Sequence, residues 1–201
     1  DDRLRLLPSY LQQLEMESNG KSVMASGDPV EGLTAPITWG GVGTDAQHAV
    51  FQLLHQGTHL TPVEFLAVIE PAHSLDAAHH RQLLANCFAQ GAALMKGRTF
   101  EEALGKANGD PALARAKTFT GNRPSTTVLL DRLDPTTLGA LIAFYDHRTF
   151  ANAVLMGINP FDQWGVELGK EIAKSIEAEL DGEDTNVFDP STIALIGRGL
   201  D

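Results

Sequence analysis

The sequence has one cysteine and no long apolar run. Cys87 has no partner for a disulfide within the chain. It lies in the apolar pattern LLANCFAQ, which predicts a buried structural thiol and not a catalytic nucleophile. No stretch of 18 apolar residues occurs, and no charged segment followed by an apolar one opens the chain. Neither a membrane-spanning helix nor a signal peptide is therefore predicted, and we expect a soluble, cytoplasmic protein.

Basic residues are few. The chain has 15 lysines and arginines and 26 aspartates and glutamates, which gives a formal net charge of -11 and a pI near 5.0. Proteins that bind nucleic acid generally hold the phosphate backbone with clustered lysine and arginine. The composition therefore argues against a nucleic-acid partner, although a local basic site could still bind a small anion.

Several motifs of catalytic and cofactor-binding proteins are absent. The chain contains no GxGxxG, GxxxxGK[ST] or GxSxG pattern, so nucleotide-dependent and serine-hydrolase chemistry lack their usual support. The HxxxH of His55 and His59 lacks the intervening glutamate of a zinc protease and is interrupted by Gly57. A second histidine cluster, at 73, 79 and 80, has no carboxylate or thiolate at metal-site spacing. We therefore predict neither a metal nor a nucleotide cofactor.

Strand-like runs alternate with longer helical patterns along the 201 residues. The predicted strands are PITW (36–39), VEFLAVIE (63–70) and STTVLL (125–130). Helices are predicted over 4–18, 45–56, 76–96, a short segment capped by Thr99 and Glu102, 134–156, 161–180 and 193–196, the last after an acidic linker at 181–186. This order predicts an α/β domain with a mainly parallel sheet, of which one part is missed or lies upstream.

Gln13 and Glu17 are candidate functional residues near the end of the first helix. Their four-residue spacing places them on one helical face. An Asn-Gly pair ends the helix, so Glu17 lies in the last turn, where the negative helix end disfavours a carboxylate. Without a local cation, a carboxylate there binds its proton more tightly, which suits a general base. The alternative is a solvated glutamate beside Lys21.

The segment FDQWGVELGK contains the second candidate set. Gln163, Glu167 and Lys170 are predicted on one helical face, at spacings of four and three. A lysine beside apolar residues can supply a functional ammonium group. The alternative is an ordinary surface pair between Glu167 and Lys170.

Five motifs together resemble the phosphoglucose isomerase family. These are YLQQLEMESNGK, GTDAQHAVFQLLHQGT, FTGNRPS, LGALIAFYDHRTF and FDQWGVELGK, which occur in the family's order and at about its spacing. The resemblance implies a sugar-isomerase (SIS-type) α/β fold, three-layered, with helices on both faces of the sheet. Residues 1–180 resemble most of the family's second domain, without its extreme N-terminal part, and 181–201 a linker and C-terminal helix.

The resemblance also implies an activity and a set of site residues. The family interconverts D-glucose 6-phosphate and D-fructose 6-phosphate through a cis-enediol, in glycolysis and gluconeogenesis. Glu17 matches its catalytic base, and His48 and Lys170 match the residues that assist ring opening. Gln13 matches a substrate-binding glutamine, and Gln163 is expected in the same pocket.

The family further implies a homodimer in which the partner subunit contributes the residue matching His48. The sequence around it, WGGVGTDAQHA, departs from the common pattern: Gly41-Val42 stands where Glu-Pro is frequent, and Asp45-Ala46 where Asn-Gly is frequent. The first domain, with its phosphate-binding loop and arginine, has no match here, so we expect a fragment that is inactive alone. The alternative is a non-catalytic sugar-phosphate-binding module, which would not need Glu17, His48 and Lys170 together.

Overall fold

Helices make up most of the structure, a computed structural model that describes residues 1–183 and 188–200. Within those ranges, two strands, β1 (Val63–Val68) and β2 (Ser125–Leu130), accompany eight α-helices. The helices are α1 (Leu7–Asn19), α2 (Gly43–Gln56), α3 (Ala77–Lys96), α4 (Phe100–Lys106), α5 (Pro111–Ala116), α6 (Pro135–Met156), α7 (Glu167–Leu180) and α8 (Pro190–Leu200). None of these helices is both long enough and apolar enough to cross a lipid bilayer.

The two strands form a parallel sheet with helices on both faces. Val63 pairs with Ser125 and Val68 with Leu130, and α3, α4 and α5 lie between the strands in sequence. Because side chains alternate across a strand, Phe65 and Glu64 point to opposite faces. Phe65 packs against a cluster of α2 and α3, whereas Glu64 reaches Tyr145 of α6. This layering confirms the predicted α/β class.

Helix α6 matches its predicted bounds because both of its ends carry strong local signals. At the N-terminus, Asp134 and Thr137 form a reciprocal capping box, and Pro135 occupies the first turn. At the C-terminus, Gly157 adopts the left-handed conformation, with φ 68°, that glycine accepts at low cost. The buried residues of this helix follow one face at spacings of four: Leu141, Tyr145, Thr149 and Ala153.

Three other sequence predictions need correction or extension. The PITW run is not a strand: Ile37 is 85% exposed, and no neighbouring strand offers its backbone a partner within the described residues. Helix α5, capped by Asp110, was missed, because its six residues are too few to show a helical pattern of apolar positions. The final helix is longer than predicted, and the predicted linker at 181–186 lies partly outside the described residues.

A polar contact joins α6 to β1 inside the structure. The Tyr145 hydroxyl donates to Glu64 Oε1 at 2.5 Å, and Arg148 Nη1 donates to Glu64 Oε2 at 3.0 Å. The Arg148 guanidinium also lies over the Tyr145 ring, 4.6 Å from its centroid. Burial, with the Glu64 carboxylate beside it, raises the pKa of the Tyr145 phenol above its usual range. The phenol therefore stays protonated and keeps donating well into the alkaline range.

Tyr145→Phe should lower the free energy of unfolding by about 1.5–3 kcal/mol, since it removes a hydrogen bond to a charged group. It should also flatten the alkaline loss of stability. The folded tyrosine keeps its proton above pH ~10, where the unfolded one loses it, so in the parent protein stability falls as pH rises from there. Denaturant titrations from pH 7 to 11 measure both effects.

Tyr10→Phe is the matched control on the surface. The Tyr10 hydroxyl donates to Asp146 Oδ1 at 2.7 Å, and that acceptor, with burial, raises the pKa of Tyr10 to about 12. Tyr10 is largely solvated, so its loss should cost less at pH 7. Equal destabilisation by the two substitutions would contradict the importance given to the Tyr145–Glu64 contact.

Candidate active site

The end of α1 presents Gln13 and Glu17 as a joined pair. Gln13 Nε2 donates to Glu17 Oε2 at 3.2 Å, across the four-residue spacing predicted from the sequence. Glu17 is half-buried and Gln13 is exposed. Within the described residues, Glu17 Oε1 has no hydrogen bond. The carboxylate is therefore oriented through one oxygen while the other remains available to a ligand.

Lys21 caps the C-terminal end of α1. Its Nζ donates to the carbonyl oxygens of Glu17 at 2.6 Å and of Ser18 at 2.9 Å, two acceptors that the helix itself leaves unpaired. Burial lowers the pKa of Lys21, while the charges of Asp162 and Glu17 oppose that shift. A local cation is thus present at the helix end. The sequence argument for tight proton binding by Glu17 assumed no such cation, and that premise is wrong.

The segment that begins FDQWG lies beside this helix end. Asp162 is close enough to Lys21 for its carboxylate to favour the charged ammonium. Asn159 holds the segment in a turn, since its side chain accepts from the Phe161 amide at 3.0 Å and donates to the Asp162 carboxylate. Two motifs separated by about 140 residues of sequence therefore meet at one place.

Gln163 and Lys170 are not on one continuous helix, contrary to the sequence prediction. The turn held by Asn159 delays the helix, so Gln163 precedes a single 3-10 turn (Trp164–Val166), and α7 begins only at Glu167. Lys170 then follows in the first turn of α7. Both side chains are exposed, and among the described residues neither forms a hydrogen bond or ion pair.

His48 lies on α2 and is exposed. In residues 1–183 and 188–200, no hydrogen bond or ion pair joins Glu17, His48 and Lys170 to one another. The structure therefore brings Gln13 to Glu17, and the FDQWG segment to Lys21.

His55, His80 and Cys87 lie in packed surroundings. The His55 ring lies near Phe51 and Phe119, and its Nε2 is 3.3 Å from Gln90 Oε1. His80 is buried, with Nε2 within 3.0 Å of the carbonyl oxygens of Val68 and Ile69 at the end of β1. Cys87 is half-buried, not fully buried as predicted, and burial raises the pKa of its thiol, which disfavours the nucleophilic thiolate.

Comparison with known proteins identifies the family. A family model described as phosphoglucose isomerase matches residues 1–196. The chain belongs to the phosphoglucose isomerase family. This confirms the resemblance found in the sequence motifs and extends it almost to the end of the chain.

Individual relatives of this family agree. The chain is 74% identical over 200 residues to a glucose-6-phosphate isomerase of Rhizorhabdus wittichii and 59% identical to one of Zymomonas mobilis. All of this chain is covered in both matches, but only 37% and 36% of those proteins. A crystal structure of a glucose-6-phosphate isomerase from Chlamydia trachomatis matches with a TM-score of 0.79 and 38% identity, covering 97% of this chain and 35% of that one. The chain thus spans about a third of the length of the relatives it matches.

Sequence reasoning missed three residues beside the site: Glu15, Asn19 and Thr149. Glu15 and Asn19 are four apart on α1, a spacing that could have suggested a pair. Both side chains are buried, which the local sequence pattern does not indicate. Thr149 gave no signal, because its partner Glu15 is 134 residues away in sequence.

Gly20 is required at the end of α1 by a close approach and not by its φ of -76°. A Cβ on Gly20 would lie 2.3 Å from the carbonyl oxygen of Met16, a backbone atom that cannot move aside cheaply. In this phosphoglucose isomerase family member, Gly20→Ala should therefore reduce the free energy of unfolding by about 1–3 kcal/mol. Denaturant titration measures the loss.

Gly32→Ala provides the control for this prediction. A Cβ at Gly32 meets nothing within 4 Å, so the substitution should leave stability unchanged or slightly raised. A Gly20→Ala protein as stable as Gly32→Ala would show that the end of α1 relaxes without cost.

Proposed function

We propose that this chain is part of an aldose-ketose isomerase that interconverts D-glucose 6-phosphate and D-fructose 6-phosphate through a cis-enediol. The observation that carries the proposal is the pair of Gln13 and Glu17 in a member of the phosphoglucose isomerase family. The relatives named glucose-6-phosphate isomerase support this substrate pair. The reaction places the protein in glycolysis and gluconeogenesis, and we propose a cytoplasmic location.

Glu17 is the proposed base. It takes the weakly acidic proton from C2 of the open-chain aldose and returns it to C1, while the hydroxyl proton of O2 passes to O1 in the cis-enediol. One carboxylate therefore serves both directions of the reaction. Such a transfer needs a carboxylate held at a fixed angle to the substrate carbon. The hydrogen bond from Gln13 to Oε2 supports this role, because it fixes the carboxylate and leaves Oε1 to face the substrate. Gln13 is also proposed to contact the sugar.

His48 and Lys170 are proposed to act before this step, at the opening of the sugar ring. An imidazole titrates near neutral pH and can exchange a proton with the ring oxygen, and the Lys170 ammonium can assist at the same atom. Gln163 is assigned to the same pocket. The placement of the FDQWG segment beside Lys21 supports this, since Gln163 directly follows Asp162.

We propose that a partner subunit and a further region of the protein complete the site. We propose a homodimer in which His48 reaches the site of the partner subunit, and residues 1–180 as the second sugar-isomerase domain, with 181–201 as a linker and C-terminal helix. The exposure of His48, without a bond to Glu17 in the described chain, is compatible with this arrangement. The groups that hold the phosphate are proposed to lie in the polypeptide that the longer relatives possess and this chain does not.

Glu17→Gln in the complete polypeptide that contains residues 1–201 should reduce isomerase turnover by at least about 100-fold, the usual contribution of a general base. The amide can still pair with Gln13 but cannot take up the proton. Conversion of fructose 6-phosphate, coupled to oxidation of the glucose 6-phosphate formed, measures turnover. Full activity of this variant would remove Glu17 from the mechanism.

Two controls accompany this assay. Glu31→Gln neutralises an exposed carboxylate outside the proposed site and should leave turnover unchanged. Residues 1–201 alone should give little or no turnover, because they lack the proposed phosphate-holding groups. If the Glu17→Gln variant binds sugar phosphate normally and the unaltered complete polypeptide turns nothing over, the non-catalytic binding module replaces the isomerase as the explanation.

Mixing two inactive variants tests the shared site. In a two-fold dimer formed from Glu17→Gln and His48→Asn subunits, one site carries both lesions and the other carries neither. Random assembly should therefore restore about a quarter of the parent activity. Each variant alone is the control. If both residues of a site came from the same subunit, every site in the mixture would carry a lesion and mixing would restore nothing.

A further inference from the structure

A buried polar cluster of Glu15, Asn19 and Thr149 lies directly behind the proposed base. The exposed fractions of these residues are 5%, 0% and 3%. Thr149 Oγ1 donates to Glu15 Oε2 at 3.1 Å, and Asn19 Nδ2 donates to Glu15 Oε1 at 3.0 Å and to the Thr149 carbonyl oxygen at 3.1 Å. Both oxygens of a buried carboxylate are thereby used, and α1 is fixed to α6.

One atom of this cluster lowers its contribution to stability. Asn19 Oδ1 is buried without a hydrogen-bond partner in the described structure, which costs the desolvation of an amide oxygen. Rotating the amide would not help, because it would turn the oxygen toward two acceptors in place of the donating nitrogen. An apolar side chain at position 19 would avoid this cost but would leave Glu15 Oε1 and the Thr149 carbonyl oxygen without this donor. Buried polar groups with such a cost can instead specify one arrangement of the elements that they join.

The arrangement fixed here is the direction in which Glu17 points. Glu17 is two residues from Glu15 and two from Asn19, and two residues correspond to about 200° around a helix axis. With Glu15 and Asn19 held against α6, Glu17 is directed away from α6, toward the face shared with Gln13. A rotation of α1 about its own axis would move the Glu17 carboxylate, and the contact with Thr149 opposes that rotation.

The end of the helix is fixed by the same residue. The Asn19 carbonyl oxygen accepts from the amides of Lys21 at 2.9 Å and Ala35 at 3.1 Å. Asn19 therefore joins α6, the end of α1 and the loop after it, while Lys21 covers the carbonyl oxygen of Glu17. The backbone on both sides of the proposed base is anchored.

We infer that Glu15, Asn19 and Thr149 are positioning residues for the proton transfer, acting through Glu17 without touching the substrate. The inference rests on the proposed function of Glu17. In this inference, the cluster prevents rotation of α1 about its own axis. The Glu17 carboxylate is thereby kept in line with the C–H bond of the substrate.

Thr149→Val in the complete polypeptide tests this inference, since valine keeps the shape and removes the hydroxyl donor. We expect kcat to fall by about tenfold, with KM changed by less than about twofold, because a small displacement of a base slows transfer more than binding. The isotope effect on kcat for substrate deuterated at C2 should rise, because proton transfer then limits turnover more strongly. This ratio does not depend on the amount of folded enzyme.

Two matched variants complete the design. Thr149→Ser keeps the hydroxyl and should retain the parent kcat and isotope effect. Thr118→Val removes the half-buried hydroxyl that donates to the Ala114 carbonyl oxygen at 2.9 Å, at the end of α5, and should change neither value even where it lowers stability. An unchanged isotope effect in Thr149→Val, with activity lost only in proportion to unfolding, overturns the inference.

The test separates this inference from the proposed function. If Glu17→Gln is inactive and Thr149→Val behaves like Thr149→Ser, Glu17 remains the base and the positioning role is wrong. If Glu17→Gln is fully active, the proposed function of Glu17 fails first, and the positioning role fails with it.

Discussion

The packing of helix α6 against both α1 and the sheet is the constraint on which the rest of the structure depends. One face of α6 places Tyr145 against Glu64 of β1 and Thr149 against Glu15 of α1. The sheet and the helix bearing the proposed base therefore share one support. Because both contacts use charged acceptors, each is more directional than apolar packing alone.

Polar groups inside this structure fix orientation at places where apolar side chains would allow sliding. The Glu64 carboxylate receives a phenol and a guanidinium, and the Glu15 carboxylate receives a hydroxyl and an amide. By contrast, the apolar cluster of Phe51, Leu94 and their neighbours lies on the other face of the sheet. The apolar cluster buries hydrophobic surface, whereas the hydrogen bonds on the α6 side fix the orientation of the elements that they join.

The sequence predicts those features whose signals are local. The bounds of α6 follow from Asp134, Pro135 and Gly157, and the pairing of Gln13 with Glu17 follows from a four-residue spacing. PITW failed as a strand because an apolar run needs a neighbouring strand, which local pattern cannot provide. The cluster around Glu15 could not be predicted either, since its partner Thr149 is 134 residues away in sequence. Family motifs suggested the candidate site residues, whereas the contacts around them required the structure.

Tyr145 and Thr149 are four residues apart along α6, slightly more than one helical turn, and this spacing has an evolutionary consequence. An inserted or deleted residue between them would turn one anchor by about 100° relative to the other, so that the sheet and α1 could not both be engaged. Point substitutions in this stretch can be compensated one contact at a time, but a change of length cannot. The segment should therefore accept changes of residue far more readily than changes of length as related genes diverge.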